Sequence, residues 1–304
     1  EDEVEEELED ADGMLVLLFG RDGGTHGGIL SAAPTEASRD SVAAVTERIT
    51  FLGHATLLIE TGGARLITDP VLRSRLVHLR RHGRAVDEDV QRDLDGVLLS
   101  HLHRDHWDTP SLKLLERWTP IVVPRGAGSL ASSAGFTDVR EVVAGDTVEL
   151  SGVRVRAVPA DHDDRRDPFG GPRADPLGYV VEGPSRVYFA GDTDVFDDMA
   201  SLPGDAPLDV ALLPVWGWGP SLGVGHMDPR RAADAAALLR PRVAIPIHWG
   251  TLYPVALRRF RPTPLTDPPH LFARFAASLA PDVDVRIVRP GGSLLLGDHP
   301  IADE

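Results

Sequence analysis

Between residues 100 and 106 the chain reads Ser-His-Leu-His-Arg-Asp-His, which places His101, His103, Asp105 and His106 within six residues. Neutral imidazole nitrogen and carboxylate oxygen are ligands that zinc accepts, and four of them at this spacing point to metal binding rather than to a polar loop. In an extended backbone side chains alternate with a period of two, so His101 and His103 project to the same side. Once the chain turns, Asp105 and His106 can reach a second ion. The chemistry such a pair offers is hydrolysis. A bound divalent ion lowers the pKa of its water from about 16 to about 7, so an ion held here would supply an activated water and no protein nucleophile would be required. The ions also polarise a carbonyl or phosphoryl oxygen and stabilise the charge that develops there.

Strands must hold these residues. The cluster directly follows Gly96-Val97-Leu98-Leu99-Ser100, a run apolar enough to be a strand buried on both faces. Upstream, Arg48 to Leu52, Ala55 to Glu60 and Arg65 to Thr68 are short apolar stretches separated by Gly53 and by Thr61-Gly62-Gly63, which predicts strands joined by tight turns. Helices are expected over Asp87 to Leu94, Ser111 to Arg117 and Gly126 to Ala134, with a strand at Ile121 to Val123; this alternation suggests α/β layers. A second set of strands is indicated at Val139 to Val143, Thr147 to Leu150, Val153 to Pro159, Gly178 to Glu182 and Arg186 to Ala190, then at Asp209 to Pro214 and Val243 to Ile247. Two strand-rich halves predict two packed sheets. Asp228-Pro229 opens a helix to Leu239, with Asp228 as N-cap and Pro229 at the first helical position. A helix near His270 to Leu279 and a strand near Val283 to Val288 close the body.

Composition narrows the function. Of the net charge of −16, residues 1–13 contribute −9, which leaves a moderately acidic body and argues against nucleic acid as a partner. Residues 1–46 are expected to be an acidic, flexible extension ahead of one folded domain over 47–304. Arg73, Arg75, Arg80, Arg81 and Arg84 form a basic patch, read as a solvated surface or as a contact for substrate phosphate. With no cysteine, any metal must be held by His and carboxylate, and cytoplasmic residence is the expectation. The apolar run Met14 to Phe19 falls far short of the roughly 20 residues that span a bilayer, so no transmembrane segment is expected.

The His-x-His-x-Asp-His pattern after a strand resembles that of the metallo-β-lactamase superfamily. The later motifs follow in the same order: Pro159-Ala160-Asp161-His162, Gly191-Asp192-Thr193 and Pro246-Ile247-His248-Trp249-Gly250. The resemblance covers about Ile49 to Val288. It implies an αββα sandwich of two mixed sheets flanked by helices, with the metals at one edge. It further implies that His101, His103 and His162 bind one ion, Asp105, His106 and His248 the other, and that Asp192 bridges them. Two divalent ions, zinc foremost with manganese or iron as alternatives, are the implied cofactors.

Gly53-His54-Ala55-Thr56, Ile67-Thr68-Asp69-Pro70 and Gly225-His226-Met227-Asp228-Pro229 resemble the branch of N-acyl-phosphatidylethanolamine-hydrolysing phospholipase D, with similarity to sugar-phosphate lactonases in the early motifs. The expected activity is therefore hydrolysis of a phosphodiester, ester or lactone in a small-molecule or lipid-like substrate. Asp105 would orient the attacking water, and His226 would contact substrate from a Gly-rich loop, Trp216 to Gly225. His54 has two open roles, supporting a ligand or satisfying a buried turn. Trp216, Trp218 and Trp249 line a pocket or fill the core. Asp163 and Asp164 depart from the branch pattern and disfavour an anionic substrate unless Arg165 and Arg166 offset them. His26, His78, His82, His270 and His299 read as surface residues. The alternatives are a metal-stabilised ligand-binding protein without catalysis, or a di-iron redox protein, although the Glu and flavin domain usual in the latter are not visible.

Overall fold

The computed structural model describes residues 47–167 and 170–296. The expected extension over 1–46, with His26, and His299 near the other end lie outside the described residues. The chain opens with strands β1 (Arg48–Gly53), β2 (Thr56–Thr61), β3 (Ala64–Thr68), β4 (Arg75–Leu76), β5 (Leu79–Arg81) and β6 (Gly96–Leu98). Helix α1 (Thr109–Leu112), β7 (Ile121–Pro124), α2 (Gly128–Ala134), β8 (Val139–Val142), β9 (Thr147–Leu150) and β10 (Val153–Pro159) follow. Next come β11 (Arg165–Asp167), β12 (Gly170–Arg173), β13 (Leu177–Glu182), β14 (Arg186–Phe189) and β15 (Val210–Pro214). Helix α3 (Pro229–Leu239), β16 (Val243–Ile247), β17 (Leu252–Pro254), α4 (Asp267–Leu279), β18 (Asp284–Val285) and β19 (Gly292–Leu295) complete it.

Two seven-stranded sheets result, in the orders β19-β1-β2-β3-β6-β7-β8 and β18-β16-β15-β14-β13-β10-β9. Each is mixed: β3, β6, β7 and β8 run parallel in the first and β14, β15, β16 and β18 in the second, with antiparallel pairing elsewhere. Period-two alternation divides the first sheet's apolar residues. Leu57, Ile59, Leu66, Leu98 and Val122 join the core shared with the second sheet. Leu58, Ile67, Val97, Ile121 and Val123 join a second core with Ala127 and Ala131 of the α2 region. Helices α3 and α4 pack on the other sheet, through residues such as Ala232, Ala236 and Phe272. The αββα sandwich is thus the observed architecture. Each buried aliphatic side chain stabilises it by about 1.5–3 kcal/mol.

Three expectations change. The helix expected over Ser111 to Arg117 starts earlier and stops at Leu112. Asp108 caps it by accepting from the Ser111 amide at 3.1 Å, and the chain then tightens into three-residue turns, Leu114 to Ser111 and Leu115 to Leu112. Over Asp87 to Leu94 only a 3₁₀ turn, Glu88–Gln91, forms; none of its residues is fully buried, and only Val90 of the turn packs against the core, too little to hold a longer α-helix. The last expected strand pairs only at Asp284–Val285, extended by the Arg286 amide donating to Ala244. A small sheet, β17-β5-β4, and the ribbon β11-β12 were not expected; strands this short carry no readable periodicity.

Candidate metal centre

The chemistry-bearing residues lie just beyond strand C-termini, where the two sheets meet at one edge. Asp69 follows β3, His101 follows β6, His162 follows β10, Asp192 follows β14 and His248 follows β16. The Ser100 carbonyl accepts from the Leu177 amide at 2.9 Å, and the Tyr179 hydroxyl donates to Leu99 at 2.7 Å, which ties the sheets together beneath the site. Gly191 makes the close approach possible: its φ is +62°, and a Cβ there would lie 2.6 Å from the Ser100 Cβ. His54, Asp69 and His248 also hold left-handed backbones, with φ of 61°, 33° and 63°. Each costs about 1–3 kcal/mol that the surrounding packing must offset.

Hydrogen bonds choose which ring atom each histidine presents. His162 Nδ1 donates to the Gly225 carbonyl at 2.7 Å and His248 Nδ1 to the Trp216 carbonyl at 2.6 Å, so in the neutral rings each Nε2 carries a lone pair. His106 Nδ1 lies 2.7 Å from Asp69 Oδ2, and His101 Nδ1 lies 2.9 Å from the Ser100 hydroxyl. The inward atoms then converge. His103 Nδ1 sits 3.1 Å from His101 Nε2 and 2.9 Å from His162 Nε2. His106 Nε2 and His248 Nε2 are 3.1 Å apart, each 3.2 Å from one oxygen of Asp192. Lone pairs facing one another repel unless a cation lies between them. Nitrogen ligands at about 2.1 Å from one ion lie roughly 3 Å from each other, the spacing found here. Asp192 Oδ1 is buried with no hydrogen-bond partner among the described residues. A carboxylate oxygen left so is costly unless a cation meets it.

The donor atoms fall into groups able to hold a metal: His101, His103 and His162; His54, Asp105, His106 and His248; and His162, Asp192 and His226. All seven sequence-assigned ligand residues are therefore brought together. Burial, then the neighbouring histidines, pushes the pKa of His101 well down; His162 falls to about 4, again chiefly through burial. Burial also opposes charge on His106, but Asp192 and Asp69 outweigh it and raise its pKa. Asp192 and Asp105 are held well below the carboxylate range, the histidines overcoming the desolvation that would raise them. His226 is raised to about 8, because its bond to Asp192 exceeds the cost of burial.

Several residues prove more important than the sequence suggested. Asp69, wholly buried, accepts from the Ser100 amide at 2.8 Å and hydroxyl at 2.5 Å as well as facing His106. Its position after a strand was the available sign. His54 does both things open to it: Nε2 lies 3.0 Å from Asp105 Oδ2, while its amide donates to Thr251 Oγ1 and its carbonyl accepts from His248. A cavity of about 600 Å³ opens on the centre, and its lining includes His103, Asp105, His226, Leu79, Trp218 and Arg166. His78, read as a surface residue, also lines it, edge-on to Trp218 with ring centroids 5.2 Å apart. The three tryptophans separate. Trp218 lines the cavity, Trp249 is buried against Phe51, and Trp216 holds the loop through its Nε1 bond to Gly219. The basic patch divides: Arg73 pairs with Asp108 at 2.6 Å, Arg84 pairs with Asp87 at 3.5 Å and buried Arg81 donates to the Leu52 and Val71 carbonyls, whereas Arg80 stays exposed with no carboxylate partner among the described residues.

A family model, the β-lactamase superfamily domain, matches residues 64–249, the span that carries every one of these residues from Asp69 to His248. The chain belongs to the β-lactamase superfamily. Within it, this chain is 33% identical over 252 residues to a UPF0173 metal-dependent hydrolase of Methanopyrus kandleri, covering 81% of this chain and 98% of that one. A UPF0173 metal-dependent hydrolase of Rubrobacter xylanophilus is 32% identical over 258 residues, covering 81% and 96%. Among solved structures it is similar to Igni18, a metallo hydrolase from the archaeon Ignicoccus hospitalis, with 25% identity, a TM-score of 0.62 and coverage of 81% and 97%. CmlA, a di-iron β-hydroxylase from Streptomyces venezuelae, has the same TM-score of 0.62 at 18% identity and shares the fold alone. The chain is thus a metal-dependent hydrolase of this superfamily. Among the described residues, no helix is long and apolar enough to cross a membrane.

Proposed function

We propose that this hydrolase is dinuclear and zinc-dependent, and that it cleaves a phosphodiester in a small or lipid-like substrate. The observation that carries the reading is Asp192. Its two oxygens approach His106 and His248, its neighbours include His162 and His226, and one oxygen has no other partner. It therefore stands between two donor sets, His101, His103 and His162 on one side and Asp105, His106 and His248 on the other, and would bridge their ions. When bound, two divalent ions supply Lewis acidity and an activated water.

The residues around them do the rest. His54 fixes Asp105, which lines the cavity and would orient the attacking water. His226, also in the lining and with Nε2 3.4 Å from Asp192, would meet the substrate and hand its Nε2 proton to the leaving group. Leu76, Leu79 and Trp218 exclude water and hold an apolar substituent. The two carboxylates beside His162 are each paired with an arginine, so they do not stand against an anionic group. Asp163 pairs with Arg165 at 2.6 Å and Asp164 with Arg173 at 2.8 Å, so the offsetting pair is Arg165 and Arg173, while Arg104 and Arg166 line the cavity. The apolar wall also supports a neutral ester or lactone as a second reading.

A panel of bis(4-nitrophenyl) phosphate, N-acyl phospholipids and lactones, offered to zinc-reconstituted protein, tests this. Phosphodiester turnover that is abolished in His103→Ala is expected. Lactone turnover alone would favour the second reading, and no turnover of any member would remove both.

A further inference from the structure

A second cavity, of about 380 Å³, shares no lining residue with the catalytic one. Arg80, His82, Val255, Arg258 and Arg259 line it. The small sheet builds it: β5 pairs antiparallel with β17, the His82 amide donates to Thr251 at 2.7 Å, and the turn Leu257–Arg259 follows. The same β4–β5 hairpin gives Leu76 to Leu79 to the catalytic cavity.

In a chain of net charge −16, several arginines near the catalytic centre pair with carboxylates, as in Arg73–Asp108, Arg165–Asp163 and Arg173–Asp164. The exposed residues Arg80, Arg258 and Arg259 have none among the described residues, although they converge on one concavity. Burial, then Arg258 and Arg80, lowers the pKa of His82, as expected where no anion stands nearby. Three converging guanidinium groups repel one another until a counter-anion joins them. Their planar forks match a tetrahedral group with several free oxygens better than a single carboxylate.

We propose that this cavity binds the phosphate group of a small phosphorylated compound, held by Arg80, Arg258 and Arg259. Val255 packs against the organic part. The volume suits one phosphate with a compact substituent, whereas nucleic acid requires a longer track of cations.

Calorimetric titration of the zinc-loaded full chain with inorganic phosphate and with glycerol 3-phosphate tests the site. The metal centre itself can take phosphate, so two variants separate the sites. His103→Ala is expected to keep a phosphate-binding event. Arg258→Gln/Arg259→Gln is expected to weaken that event at least tenfold, with zinc content and melting temperature unchanged. Unchanged affinity in the double variant would overturn the proposal, as would loss of all phosphate binding in His103→Ala. Binding to phosphatidic acid vesicles, but to neither soluble phosphate, would also overturn it in favour of a lipid surface.

Discussion

Asp69 shows how much a single buried carboxylate can decide at this centre. It fixes the ring of His106 and the Ser100 backbone that leads into His101, so one side chain sets a ligand of each donor set. We predict that Asp69→Asn lowers metal affinity by about 10–100-fold, the usual cost of losing a partner that orients a ligand. It should also cost about 1–3 kcal/mol of stability, because the new amide meets the Ser100 N–H with a donor in some of its orientations. Zinc titration against a chromogenic chelator and urea unfolding measure the two effects. At this scale His101 to His106 were legible because four ligand types fall in one short run. His162, Asp192 and His248 became legible only through the order of the motifs, since each alone reads as an ordinary loop residue. Asp69 was legible only within the Ile67-Thr68-Asp69-Pro70 motif and without a role, because an Asp before Pro70 has the composition of any turn.

Among the elements, the loop after β15 determines the shape of the site. Its Trp216 and Gly225 carbonyls pin His248 and His162, and its Trp218 walls the cavity. Gly225 has φ +77°, and a Cβ there would lie 3.0 Å from both the Cα and Nδ1 of His162. Gly225→Ala should therefore displace His162 and reduce kcat by about 100-fold, with circular dichroism unchanged. Trp218→Ala removes apolar wall without touching a ligand. It should raise KM for substrates with an apolar group and leave kcat close to the parent value, the pattern of lost uniform binding. A matched fall in kcat would mean that Trp218 acts on the reacting centre instead. The long strands and helix α3 could be read from alternation and from the Asp228-Pro229 start. The β4–β5 hairpin and β17 could not, because two or three residues show no period and the β5–β17 pairing joins segments far apart in sequence.

For the whole molecule, two sheets closed on one core place the donors, and ion pairs fasten the second sheet. Glu182 accepts from Arg186 at 3.0 Å and Arg156 at 3.4 Å, with Arg154 at 3.6 Å, which links β10, β13 and β14. Burial would raise the pKa of Glu182 above the ordinary 4.5, but these arginines lower it. A carboxylate with a lowered folded pKa contributes stability above its unfolded pKa, and that contribution disappears as pH falls through the folded value. Glu182→Gln should thus cost about 1 kcal/mol at neutral pH, limited by solvent screening. The difference from the parent should shrink as pH falls below the ordinary carboxylate range, as urea unfolding across that range would show.

The central claim is that two zinc ions share Asp192. Elemental analysis of zinc-reconstituted, gel-filtered protein tests it most directly, run on the parent chain and on Asp192→Ala. The account predicts close to two zinc ions per chain in the parent and a loss of at least one in the variant. A parent that holds one zinc or none, or a variant that still holds two, would contradict it.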